Sequence, residues 1–452
     1  MSADLGGRLL ELTVPANTVV LSMGRPKRID ADLSPKEVLK TSNFDAVVAN
    51  KVRGKPGASA VIVISDNTRP VPYKGQNGIL WPLIEELMAY GVSPDRILIL
   101  VATGTHRGVT ARELRDMLDP RVFEQGIAII NHDCDDGKNL VYLGTTSRGS
   151  VIHVNRHYVN ADIRILTGLV ESHFMAGASG GRKSICPGIV SRQSTHVFHG
   201  AEMLASPNAR DLVLEGNPCH EEALEVALMA GVDFIVNVTL DRDFALTGIF
   251  AGDLETAHQQ AVERIKEYVA IPVEREYDIV VTHAGFVGIN HYQVAKAGVV
   301  ALPALKANGR LIIAAWTTDQ DHVGSLHYRT MIQLLKLLGP ERFTRVILSP
   351  DWEFVPEQWE AQMWARVLQR TPQDNVIFFS PTMPENDYKI LPNHDGNLYL
   401  PCDQRYRGAW DDTARVVEAA VLEEVRRIQE TEKREAAIAF LADGPYGIPV
   451  KV

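Results

Sequence analysis

Nine short, nearly unbroken apolar runs constrain this chain's fold most: Ala60–Ser65, Arg96–Ala102, Ile127–Asn131, Ile163–Val170, Phe234–Leu240, Tyr277–Thr282, Arg310–Trp316, Arg345–Ser349 and Asn375–Ser380. They are rich in Val and Ile and continuous rather than alternating, the pattern of strands covered on both faces in parallel sheets. Amphipathic helical patterns lie between several of them, at Leu80–Tyr90, Cys219–Ala230, Leu254–Val269 and Tyr328–Leu338. Strand alternating with helix predicts an α/β fold with crossover units. A chain of 452 residues exceeds one ordinary core. The expectation is therefore two α/β domains with mostly parallel sheets and an active site in the crevice between them. A long helical pattern ends near Ala270-Ile-Pro-Val-Glu-Arg-Glu, which sets the expected domains at 1–270 and 271–404. Charged helices from Asp411 to Ala442, within 405–452, are expected to pack back on the first domain.

Composition narrows the function classes. A net charge of -10 argues against a nucleic-acid partner, which calls for a basic face. A few placed cations still suffice to hold a small anion. No apolar run approaches the roughly 20 residues that cross a bilayer, so no membrane partner is expected. Cys134, Cys186, Cys219 and Cys402 form no Cys-x-x-Cys pair, which excludes a zinc ribbon or thioredoxin-type site. The start, Met1-Ser-Ala-Asp-Leu-Gly-Gly, lacks the basic-then-apolar pattern of a signal peptide, so a cytoplasmic location is expected.

In open α/β sheets, ligands bind beyond the carboxyl ends of the strands. Four predicted exits carry polar residues: Ser65-Asp66-Asn67-Thr68-Arg69-Pro70, Thr103-Gly104-Thr105-His106-Arg107, Glu171-Ser172-His173 with its glycine loop, and Thr282-His283-Ala284-Gly285. The loop Gly177-Ala-Ser-Gly-Gly-Arg-Lys-Ser184 departs from the Walker pattern because Arg182 stands where a glycine precedes the lysine. No Gly-x-Gly occurs, so the dinucleotide fingerprint is absent. The loop's amides suit a phosphate if a helix starts near Ser184; a tight turn with a solvated Arg-Lys pair is the alternative. His106 and His173 as a pair suit general acid/base work on two faces of one carbon, whereas either alone reads equally as structural. His196 and His199, at i, i+3, share a helix face as a possible metal pair, of which at most one is expected to function. Gln293 and Lys296 put amide and ammonium on one helix side, where a solvated face is the alternative. His220-Glu-Glu lacks the second histidine of a zincin motif.

Together these residues resemble the nickel-dependent lactate racemase family. The matching segments are Ser65-Asp-Asn-Thr-Arg-Pro70, Gly104-Thr-His-Arg107, His173-Phe-Met-Ala-Gly-Ala-Ser-Gly-Gly-Arg-Lys183, His199, Tyr292-Gln-Val-Ala-Lys296 and Gln358-Trp359-Glu-Ala-Gln362, in family order over most of the chain. The resemblance implies a racemase or epimerase of a 2-hydroxy acid. It implies a covalent nickel-pincer nucleotide, a pyridinium mononucleotide bearing a thioamide and a thiocarboxylate, tethered to Lys183. His199 would ligate the nickel, in a four-donor plane that suits Ni(II). Asp66, Ser179, Gly180 and Gly181 would bind the nucleotide, the last three at its phosphate. His106 and His173 would exchange the hydroxyl proton while the Cα hydride moves to and from the cofactor. Arg69 would clamp the substrate carboxylate, with Tyr292, Gln293, Lys296 and Trp359 as further substrate contacts. The implied partners are a small 2-hydroxy acid and, transiently, the cofactor-synthesis enzymes. Ser172, Met175 and Gly288 depart from the family's usual proline, aromatic and aspartate, and bear on which acid fits. Two other readings stay open. One is a nicotinamide-dependent 2-hydroxy acid dehydrogenase, against which the missing fingerprint counts. The other is a non-catalytic small-anion or phosphate-binding protein with an unmodified Lys183.

Overall fold

The computed structural model describes residues 1–29 and 34–452. The chain forms two compact units, Arg25–Glu267 and the combination of Met1–Gly24 with Tyr268–Val452. The first unit holds a six-stranded sheet in the order Leu246–Gly252, Phe234–Leu240, Ile163–Leu169, Ala60–Ser65, Ile97–Ala102, Ala128–Asn131. Every neighbouring pair is parallel except the outermost Leu246–Gly252, which turns back antiparallel on Phe234–Leu240. The central strand is buried from Ala60 to Ile64, as its unbroken apolar run requires. Helix Leu80–Ala89 buries Leu80, Leu83, Ile84 and Leu87, the i, i+3, i+4, i+7 stripe that packs on a core. The Tyr73 hydroxyl staples the two central strands. It accepts from the Ser65 amide at 2.7 Å and lies 3.0 Å from the Thr167 hydroxyl, which in turn donates to the Val63 carbonyl at 2.8 Å.

The second unit carries another six-stranded sheet, all parallel, in the order His394–Asp395, Val376–Phe379, Leu305–Ala314, Tyr277–His283, Ile438–Leu441, Val19–Leu21. Helix Asp412–Glu432 packs through Val416, Val417, Ala420 and Val421. Its buried Glu424 accepts from Arg310 Nε at 2.6 Å.

Three expectations are corrected. Residues 405–452 belong to the unit of the second sheet: Ile438–Leu441 is one of its strands, paired with Tyr277–His283, and follows helix Asp412–Glu432. Arg345–Ser349 is not a strand. Its apolar residues end helix Pro340–Ile347, which buries Phe343 and Ile347 one turn apart and starts on a proline at its first position. No α-helix starts at Ser184; Gly181–Ser184 is one turn of 3₁₀ helix.

Ile62 is fully buried in the central strand. The variant Ile62→Ala is expected to lose about 2–5 kcal/mol of stability, read as a lower urea midpoint followed by circular dichroism.

Candidate active site

The first sheet has one switch point. From Ala60–Ser65 the chain proceeds to Ile97–Ala102 on one side, whereas Ile163–Leu169 is succeeded by Phe234–Leu240 on the other. Between these two central strands the sheet order reverses, the position beyond whose carboxyl ends open α/β sheets hold ligands. Three of the four polar exits leave from this edge. The fourth belongs to the second unit, where His283 is buried and its Nε2 lies 2.9 Å from the Ala442 carbonyl, so that histidine is structural.

Asp66 leaves the central strand buried. One carboxylate oxygen lies 2.7 Å from His106 Nδ1; the other accepts from the Thr68 amide at 3.1 Å and the Thr68 hydroxyl at 2.5 Å. Burial opposes its charge, but the His106 imidazole and Thr68 outweigh it and hold the carboxyl below its ordinary range. An ionised carboxylate can only accept, so Nδ1 carries the proton and the lone pair of neutral His106 stands on Nε2. The imidazole is 61% exposed, so that lone pair faces solvent-accessible space. Arg69 pairs with Glu171, just beyond the neighbouring strand. The expected carboxylate clamp is thus already engaged across the switch point.

His173 and Lys183 come together on the third exit. His173 Nδ1 accepts from the Met175 and Ala176 amides at 3.3 and 3.2 Å, so in the neutral ring the proton sits on Nε2. Nε2 lies 3.0 Å from Lys183 Nζ and donates to it, which requires a neutral amine. Burial, reinforced by Arg69 and Arg182, pushes the Lys183 ammonium down to about 7. Its Nζ stands 5.0 Å from the centre of the Phe198 ring, next to His199. The His199 imidazole is buried, and burial followed by Lys183 pushes it down to about 3. A neutral lysine amine beside a neutral imidazole fits a covalently carried group together with a metal bound through imidazole nitrogen. His196 is only half-buried, and helix Thr195–Phe198 ends before His199, so the two do not form a pair on one helix face.

Of the three groups expected to hold the nucleotide phosphate, Ser179 and Gly181 have their amides bound within the protein. The Gly181 amide donates to Asn237 Oδ1 at 2.9 Å, the Ser179 amide to the Glu171 carbonyl at 2.9 Å, and the Ser179 hydroxyl to the Leu169 carbonyl at 2.8 Å. Those groups are committed inside the protein. Gly180 and Gly181 have φ of +75° and +50° and approach Val170, Asn237 and His258 too closely for a Cβ, so packing accounts for both glycines. Asp66 is likewise committed to His106 and Thr68. Sequence reasoning places Glu171 at a strand exit without giving it a role, and misses Asn237 and His258 because neither stands in a recognisable motif. Ser172 donates to Asp211 Oδ1 at 2.5 Å, while a Cβ on Gly288 would fall 2.3 Å from Ala284 Cβ, which leaves no room for an aspartate there.

The second unit holds its own cluster on helices His291–Val300 and Gln358–Arg370. Trp359 Nε1 donates to the Tyr292 hydroxyl at 2.9 Å. Gln293 and Lys296 are half-buried on the first helix. Glu360, passed over in the sequence, is buried; burial raises its carboxyl, and the Lys296 charge opposes that rise.

The proton placement is testable on the protein as isolated. A small acylating reagent, mapped by peptide mass spectrometry, is expected to label Lys183 with a pH midpoint near 7, since the neutral amine reacts and predominates above that value. A lysine in a model peptide shows a midpoint of about 10.4. A Lys183 midpoint near that value would contradict the hydrogen-bond assignment.

Residues 5–211 match the family description "Lactate racemase N-terminal domain", and residues 273–389 match "Lactate racemase C-terminal domain". The chain is 33% identical over 398 residues to the lactate racemase of Lactiplantibacillus plantarum, covering 86% of this chain and 89% of that protein. It is 36% identical over 311 residues to the lactate racemase of Thermoanaerobacterium thermosaccharolyticum, covering 68% and 71%. Its fold is similar to the lactate racemase apoprotein of T. thermosaccharolyticum, with a TM-score of 0.81, 28% identity and coverage of 100% and 99%. A Thermotoga maritima protein at 16% identity shares the fold, with a TM-score of 0.63 over 94% of this chain and 100% of that one. With both domains matched and a relative above 30% identity aligned over most of its length, the chain belongs to the lactate racemase family and is an isomerase.

Proposed function

We propose that the protein interconverts the enantiomers or epimers of a 2-hydroxy acid, with a nickel-pincer nucleotide carried on Lys183 and its nickel held by His199. The observation that carries the reading is the opposite proton placement on two imidazoles at exits of one sheet edge, with the Lys183 amine against one of them. His106 presents an Nε2 lone pair backed by Asp66, and His173 presents Nε2–H toward Lys183 Nζ. When bound, the nucleotide supplies a pyridinium ring able to accept and return a hydride.

The chain's own residues do the remaining work. His106 Nε2 takes the hydroxyl proton of one enantiomer, and the buried Asp66 carboxylate stabilises the imidazolium that results. His173 serves the oxygen of the opposite enantiomer once Lys183, acylated on Nζ, no longer offers an amine lone pair: the ring gives up its Nε2 proton, takes one on Nδ1 in place of the Met175 and Ala176 contacts, and so accepts the hydroxyl proton at Nε2. Arg69 takes the substrate carboxylate in place of Glu171, a bidentate exchange of one carboxylate for another. Tyr292, Gln293, Lys296 and Trp359 are proposed as further substrate contacts. The family membership favours lactate, while Ser172, Met175 and Gly288 direct attention to other side chains on the same 2-hydroxy acid frame. A cytoplasmic location accords with this reading, and among the described residues no helix is long and apolar enough to cross a membrane.

The test uses protein produced together with cofactor-synthesis enzymes. Near-stoichiometric nickel and an adduct mass on Lys183 are expected, with exchange of configuration in a panel of aliphatic, aryl, polyol and dicarboxylate 2-hydroxy acids. Lys183→Ala should carry neither adduct nor activity. Asp66→Asn and His106→Ala should retain the adduct and lose about 10²–10⁴-fold in rate. Unmodified Lys183 without nickel, in a protein that racemises nothing in the panel, would overturn the proposal.

A further inference from the structure

Arg182 is the residue that breaks the Walker pattern, and its environment is unlike that of a phosphate-loop side chain. It is 1% exposed, although its neighbour Lys183 is only half-buried. Consecutive side chains of a 3₁₀ turn diverge by about 120°, so the two residues leave the turn in different directions. Arg182 faces a cavity that Leu214, His220, Leu224, Leu254 and His258 also line. Its Nη2 donates to the Ala176 and Ala178 carbonyls at 2.8 and 2.9 Å, and its Nη1 lies 2.7 Å from His258 Nε2. Guanidinium only donates, so His258 Nε2 accepts from Nη1; the Ser179 carbonyl, 2.9 Å from the same nitrogen, is then a contact to which it does not donate. Among the described residues no carboxylate forms an ion pair with Arg182. A buried cation without a counter-charge is a poor device for stability, and an apolar side chain of similar volume would serve the core better.

We propose that Arg182 and His258 together are positioning residues for Lys183: the guanidinium fork ties the loop to itself and to helix Leu254–Val269, and so holds Lys183 Nζ against His173 Nε2. Three further contacts converge on the same loop. The Gly181 backbone lies on the His258 ring, where a Cβ would come within 2.8 Å of Cδ2. Gly180 packs on Val170, and the Gly181 amide is held by Asn237. The fork is what a lysine cannot reproduce, because one ammonium cannot reach two carbonyls and an imidazole in a fixed plane. The consequence for cofactor attachment rests on the proposed tether at Lys183; the consequence for loop order does not.

The experiment compares Arg182→Ala, His258→Gln and His258→Leu with the parent protein. Two readouts are taken: amide hydrogen exchange of the 177–184 segment in apoprotein, and the adduct mass on Lys183 after mixing apoprotein with the preparation that charges the parent. Arg182→Ala and His258→Leu should exchange at least ten-fold faster in the loop and gain at least ten-fold less adduct, with strands Ala60–Ser65 and Ile163–Leu169 equally protected. His258→Gln should behave as the parent, since its amide oxygen accepts from Arg182. Millimolar guanidinium chloride, entering the void beside the cavity, should restore both readouts in Arg182→Ala and change nothing in the parent. Unaltered loop exchange in Arg182→Ala, or normal adduct in His258→Leu, would overturn the inference, as would failure of guanidinium to restore loop protection. Should Arg182→Ala not fold, the contrast between His258→Gln and His258→Leu decides the matter. Absence of adduct in the parent counts against the tether alone and leaves the exchange data to judge the clamp.

Discussion

Ile62 pairs in register with Ile165 on one side and with Ile99 on the other, in three parallel strands with their carboxyl ends at one edge. Everything proposed for the first unit depends on that registered contact. It buries the strands on both faces, so the only place for polar chemistry is where the chain leaves them. The sheet order reverses between two of these strands, so their exits diverge and leave room for a ligand. Asp66 and Arg69 come from one exit, Glu171, His173 and Lys183 from the next. The Arg69–Glu171 ion pair closes across the gap. The site is thus a product of sheet topology before it is a product of any motif.

Within that frame, hydrogen bonds decide what each group can do. An acceptor-only carboxylate fixes one tautomer of His106; two backbone amides fix the other tautomer of His173. Two identical side chains therefore present different groups at Nε2, a lone pair on His106 and an N–H on His173. Burial does the corresponding work on Lys183 and His199, pushing both toward the neutral form that the proposed attachment and ligation require.

The sequence makes much of this legible, for identifiable reasons. Continuous Val/Ile runs give most strands of the two six-stranded sheets, because burial on two faces leaves no alternation to misread; Leu246–Gly252, His394–Asp395, Ile438–Leu441 and Val19–Leu21 lie outside them. His106, His173, Lys183 and Arg69 are found because each lies in a segment that leaves the carboxyl end of a predicted strand. The 345–349 run misleads because five residues cannot separate a strand from the last turn of a helix; the Gly339-Pro340 start that decides it lies outside the run. The loop's glycines read as a phosphate cradle because sequence shows that amides exist and not that Asn237 and Glu171 already bind them. His258 and Asn237 are more than 50 residues from the loop they hold, and only the fold brings them there. The C-terminal segment misplaces itself for a similar reason: a four-residue strand, Ile438–Leu441, is too short to announce its partner.

The central claim is that the two histidines move the hydroxyl proton and never the hydrogen on Cα. Incubating the loaded enzyme in ordinary water with one enantiomer of a 2-hydroxy acid deuterated at Cα tests this most directly, with mass analysis of the inverted product. Hydride transfer predicts that the product keeps its deuterium through the first turnover. Product of inverted configuration that carries solvent hydrogen at Cα would mean that an imidazole acts on carbon, and would contradict the claim.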